Sequence, residues 1–251
     1  MSGHSFTLKD LKASAWEEHP LADIAFGMKK SGFHRWGFVI YQTTYDDDAA
    51  WERYLEVLKL TARDCLADLG GDVLLEQYMD CTWMILPNLQ SRTSLRHGLT
   101  HPSLGPVISD PVELNGASKA QVRQRFKDWC AGRSEERDGP GATKNRAKRL
   151  PRFKHCLYVD RKCLDTLTKM LATYLETQGK DHKSNVVVVV IDGRFDETTR
   201  HSDQGLHPDV EGCTEWYVAW RYEEIEQVVE TYHESHQYPL SDIDYKRPLY
   251  T

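Results

Sequence analysis

The pattern of hydrophobic and polar positions changes period over residues 36–69, WGFVIYQTTYDDDAAWERYLEVLKLTARDCLADL. Residues 37–44 are rich in β-branched and aromatic types (Phe38, Val39, Ile40, Tyr41, Thr43, Thr44), which suit a pleated, half-buried surface and predict a strand. Asp46, Asp47 and Asp48 then interrupt the run, and short acidic side chains accept hydrogen bonds from the free N–H groups of a helix's first turn. Trp51, Leu55, Leu58, Ala62, Cys65 and Leu69 recur at spacings of four and three, so they share one helix face. Gly70 and Gly71 end that helix.

The chain repeats the theme. Leu74–Tyr78 fits a helical turn and Thr82–Leu86 a short strand, followed by a long connection over 88–117. Ser118 and Gln121 have capping-box spacing, and open a helix with Val122, Phe126 and Trp129 inward and Lys119, Arg123 and Lys127 outward. Residues 131–152 are rich in Gly, Pro and charge and are expected to form a mobile basic insertion. A strand over His155–Asp160 leads to a helix carrying Leu164, Leu167, Leu171 and Tyr174 on one face. The five consecutive valines within Asn185–Asp192 predict a central strand covered on both sides. After a second long loop, 193–213, alternation of Trp216, Val218, Trp220 and Tyr222 predicts a strand over 214–222. A last helix, 223–233, follows it.

Strands and helices interleave, yet no helix separates the last two strands, which disfavours a doubly wound parallel sheet. The expected fold is α+β: a single domain with a mixed five-stranded sheet and helices packed mainly on one face, ferredoxin-like in outline. An irregular extension (1–35) precedes the domain (36–235), and an extended aromatic and proline tail (236–251) follows it.

Composition narrows the setting. The chain has 251 residues, enough for a full core, and no apolar run long enough to span a membrane. Six scattered cysteines without CxxC spacing and an N-terminus without an apolar leader segment point to a reduced, cytoplasmic protein. The net charge of −6 is uneven: residues 119–154 hold twelve Lys and Arg against four Asp and Glu, a local +8 that leaves −14 for the rest.

Two kinds of chemistry are readable. Asp47, Asp48 and Glu52 lie within one turn of each other and could share a divalent cation such as Mg²⁺, with His97 and Asp192 as further candidates for a catalytic group. Helix capping explains the aspartates equally well. Lys144, Arg146, Lys148, Arg149 and Arg152 form a basic run suited to phosphates, as in RNA, a nucleotide or an acidic protein partner; a solvated linker has the same composition. His97/His101, His201/His207 and His233/His236 lack the spacing and context of a zinc site, and no nucleophile elbow, P-loop or dinucleotide fingerprint is present.

The blocks WGFVIYQTTYDDDAAWERYL, NGASKAQVRQRFKDW, PDVEGCTEWYVAW and YKRPL, in that order, resemble a large family of uncharacterised intracellular proteins of filamentous fungi. The resemblance implies a fungal, intracellular source and carries over no functional residue. The expected function is small-molecule binding, or an enzyme of accessory metabolism, with a pocket between the sheet and the loops 88–117 and 193–213. The alternative is a non-catalytic module that binds RNA, a nucleotide or an acidic partner through 119–154.

Overall fold

The computed structural model describes residues 19–71, 107–178, 185–196, 203 and 205–248. Its elements, in chain order, are α1 (Ala22–Ser31), β1 (Val39–Gln42), α2 (Asp48–Asp68), β2 (Val107–Ile108), α3 (Pro111–Leu114), α4 (Lys119–Ala131), α5 (Glu135–Asp138), β3 (His155–Val159), α6 (Arg161–Glu176), β4 (Val187–Asp192), β5 (Trp220–Glu224) and α7 (Val228–Glu234). The strands form one mixed sheet in the order β2-β1-β3-β4-β5. β2, β1 and β3 run parallel, while β3-β4 and β4-β5 are antiparallel. The α+β class therefore holds, and the parallel trio refines the ferredoxin-like outline.

This topology fixes which face each helix covers. The chain leaves β1 through α2 and returns on one side as β2, then leaves β2 through α4 and returns on the other side as β3. Parallel crossovers share one hand, so reversing direction puts α2 and α4 on opposite faces. α2 packs with α6 and α7 in one layer, whereas α4 packs against β3 and β4. The Tyr54 hydroxyl of α2 donates to the Val187 carbonyl from the first face. On the second face, the Tyr158 hydroxyl of β3 donates to the Ala117 carbonyl just before α4.

Local chemistry agrees with most of the sequence pattern. Asp47 caps α2 by accepting from the Ala50 N–H at 2.9 Å. The buried stripe of α2 runs through Trp51, Tyr54, Leu55, Leu58, Ala62 and Leu66, with Cys65 and Leu69 at its half-buried margin. The capping box of α4 is complete in both directions, Ser118 to Gln121 and Gln121 to Ser118. β4 is an interior strand with four consecutive buried residues, as its valines require.

Three segments differ from expectation. Residues 107–108 pair with β1 as an extra strand inside the expected connection; the strand expected at 82–86 lies outside the described residues. β5 begins at Trp220 rather than Thr214, because Ala219 takes a left-handed φ of 62° that breaks the alternation. The chain then stays extended through Glu224, delaying the last helix.

The third is 131–152, expected to be mobile. Phe33, Ala142, Ala147, Leu150 and Phe153 form a small core of their own there. Gly141, at φ +85°, brings its backbone so close to residue 32 that a Cβ would sit 2.2 Å from the Gly32 carbonyl oxygen. Arg137 and Arg152 both lie over the Trp129 ring, at 4.2 and 5.7 Å. The C-terminal tail is tied down as well: Leu240, Ile243 and Arg247 are buried.

Candidate functional site

Between α4, the start of β5 and the segment 210–215 lies a pocket of about 260 Å³. Its wall on the α4 side is formed by two cations, Lys119 and Arg123, only 6% and 5% exposed. They are buried because 119, 122, 123 and 126 follow the i, i+3, i+4, i+7 pattern of one helix face, shared with Val122 and Phe126.

Each cation is compensated differently. The Lys119 ammonium lies 4.1 Å from the centroid of the Trp220 ring, 5.2 Å from that of Tyr158, and 2.5 Å from the Glu211 carboxylate. Aromatic faces and one carboxylate together offset the loss of hydration. Arg123 is held by main chain: its guanidinium donates to the carbonyls of Asp192 and Ala219 at 3.1 and 3.4 Å and lies over Phe195 at 5.3 Å. The left-handed kink at Ala219 thus sits directly on an arginine.

The opposite wall is a tight hairpin. Val210 and Cys213 exchange backbone hydrogen bonds, and Glu211 and Gly212 both have positive φ, 52° and 87°. That is the geometry of a type I′ turn. The tail clamps its base: Arg247 donates to the carbonyls of Glu215, Pro208 and Cys213 at 3.0, 2.6 and 3.1 Å. Tyr245 accepts from the Val218 N–H. Glu211 is therefore carried on a braced turn, while its carboxylate side chain remains 48% exposed.

The expected catalytic residues do not converge. Asp47 is engaged as a cap, and Asp48 and Glu52 point from the first turn of α2 into solvent. Asp192 pairs with His155 at one end of β3, whereas Gln42, which leads to the acidic turn, pairs with Val159 at the other. A five-residue strand separates them, roughly 13 Å at about 3.3 Å per residue. Asp192 accepts from the Tyr217 hydroxyl and the Arg194 N–H, and its carbonyl takes Arg123. It thus touches Arg123 of the pocket wall without lining the pocket, and among the described residues it belongs to no group of three potential metal ligands. His97 lies outside the described residues. Among the described residues no group of three His, Cys, Asp or Glu side chains could hold a metal ion.

The basic run divides. Arg146 and Arg149 line a separate cleft, Lys144 and Lys148 are exposed, and Arg152 is fully buried, donating to the Gly37 carbonyl at 3.2 Å. An outside partner cannot reach Arg152. Burial pushes the Cys130 thiol up to about 12 and raises Cys156 and Cys163, so these thiols are poor nucleophiles.

Comparison with protein-family models, curated proteins and solved structures finds no match. Among the described residues no helix is long and apolar enough to cross a membrane.

Proposed function

We propose that this protein binds a compact small molecule carrying an acidic group in the pocket between α4, β5 and the 210–215 hairpin. The ligand's acid takes the place of the Glu211 carboxylate on Lys119, and its flat or apolar part lies along Trp220 and Phe195. One observation carries this reading: a nearly buried ammonium faces a cavity, and the carboxylate paired with it stands on a half-exposed turn tip that can swing into water. The volume of about 260 Å³ lies just below the roughly 300 Å³ lower end of ligand pockets, which favours a small ligand. The resemblance to proteins of filamentous fungi, and the free thiols of the five cysteines among the described residues, support an intracellular, fungal setting.

The test is ligand-observed NMR with benzoate and phenyl phosphate on the wild-type chain and on Lys119→Met. Binding that is lost in the variant, with its thermal unfolding still cooperative, supports the reading. Equal signals from both proteins, or none from the wild type, contradict it.

A further inference from the structure

A second cavity, of about 660 Å³, opens between α1, the turn at 146–150 and the end of α7. Asp23, Gly27, Lys30, Arg146, Arg149 and His236 are among its lining residues. We infer that it is a binding site for a small phosphate ester or diphosphate, separate from the pocket on the other cations. The relevant geometry is three cationic side chains brought from two distant segments to one concave surface.

The cleft is short of negative charge. Asp23 is its one acidic lining residue, and that carboxylate already accepts from the Gln237 amide at 2.5 Å and lies 3.8 Å from the His233 ring. Lys30 and Arg149 have no carboxylate partner among the described residues. Behind the rim, Arg194 donates to the Lys148 carbonyl, and the neighbouring Lys154 ammonium is pushed down to about 8, by burial first and then by the Arg194 charge. The floor is polar but uncharged: the His236 ring packs so closely on Gly27 that a Cβ there would sit 2.3 Å from it, and its Nε2 is buried without a hydrogen-bond partner.

Another explanation of these cations is the carbonyl end of α1, which Arg146 reaches by donating to the Lys30 carbonyl at 3.4 Å. A helix end carries about half a negative charge, felt within its last turn. Lys29, Lys30 and Arg146 already exceed that, so Arg149 is left unexplained by it. Two arginines and a lysine around a concave site suit the several oxygens of a phosphate, which guanidinium groups can engage in pairs. The small site also fits better than a long polyanion, because outside residues 119–154 the chain carries −14 and would repel nucleic acid.

The experiment is calorimetric titration of the full chain with inorganic pyrophosphate, at about 50 and about 200 mM salt. Arg149→Gln is the main variant, since its side chain is exposed and its removal disturbs no packing; Lys169→Gln removes an equal charge from the exposed face of α6. Saturable binding is expected, weaker at the higher salt, reduced about ten-fold or more by Arg149→Gln and unchanged by Lys169→Gln. Absence of binding, equal loss in both variants, or displacement of the site by a short single-stranded RNA that binds more tightly than pyrophosphate overturns the proposal.

Discussion

The ammonium of Lys119 stands 4.1 Å from the centre of the Trp220 ring, joining the first residue of α4 to the first residue of β5. No strand pairing or crossover requires this contact. It exists because α4 crosses the sheet on the face where β5 presents its aromatic residues, and it fixes one wall of the pocket.

Replacing Lys119 by Met separates binding from folding. The methionine keeps most of the apolar stem in place, and Glu211, already half exposed, turns to water. Thermal unfolding is expected to shift by no more than about 1 kcal/mol, because a pair with one exposed partner is worth little. Binding of an acidic probe is lost. A collapse of the fold would instead make Lys119 a structural strut.

Acid destabilises the protein through two buried histidines. Burial lowers His155 to about 4 and His236 to about 3, against an ordinary value of 6.5. The unfolded chain takes the proton first, so stability is full above pH 6.5 and is lost as pH falls from there towards those lower values. Each histidine contributes a slope of up to about 1.4 kcal/mol per pH unit. Urea unfolding across this range measures it, and a flat stability profile would contradict the burial of both rings.

The acidic turn behaves as a helix start. Asp47→Ala removes the acceptor for the Ala50 N–H and is expected to cost about 1 kcal/mol. Glu52→Ala, exposed and outside the cap, is expected to stay within about 0.5 kcal/mol. Differential scanning calorimetry with and without Mg²⁺ distinguishes this from a cation site. A melting temperature raised by Mg²⁺ in the wild type and not in Asp47→Ala would restore the metal reading.

Two arginines three positions apart, Arg149 and Arg152, play opposite roles. Arg152→Ala removes a fully buried guanidinium that lies over Trp129 and holds the Gly37 carbonyl, with an expected cost of about 2–4 kcal/mol. Arg149→Gln leaves stability unchanged. Equilibrium unfolding of the two variants side by side checks the contrast.

These differences mark what a one-dimensional pattern can carry. β1, α2, the α4 capping box, β3 and the valine strand were legible, because each is specified by local period and capping chemistry. The burial of Lys119 and Arg123 was also present in the spacing, since they share a face with Val122 and Phe126, but charge argued for solvent. What overrode charge was tertiary: aromatic faces from β5, a carboxylate from the 210–213 turn, and the main-chain carbonyls of Asp192 and Ala219. The same kink moved Trp216 out of the strand it was expected to join, leaving it half exposed. Asp192 and the acidic turn looked like one site only because sequence does not state which end of the sheet a residue occupies. The basic run read as a linker because its core, Phe33 to Phe153, is assembled from two segments over a hundred residues apart.

Whether the Lys119 ammonium receives a ligand's acid is decided by the affinity of Glu211→Gln for benzoate relative to the wild type. If Glu211 holds the position of a ligand acid, removing its charge frees Lys119, and the dissociation constant falls about ten-fold, the equivalent of about 1.4 kcal/mol. If affinity is unchanged, or benzoate binds neither protein, then the pair is a structural tether and the pocket is not an acid-binding site.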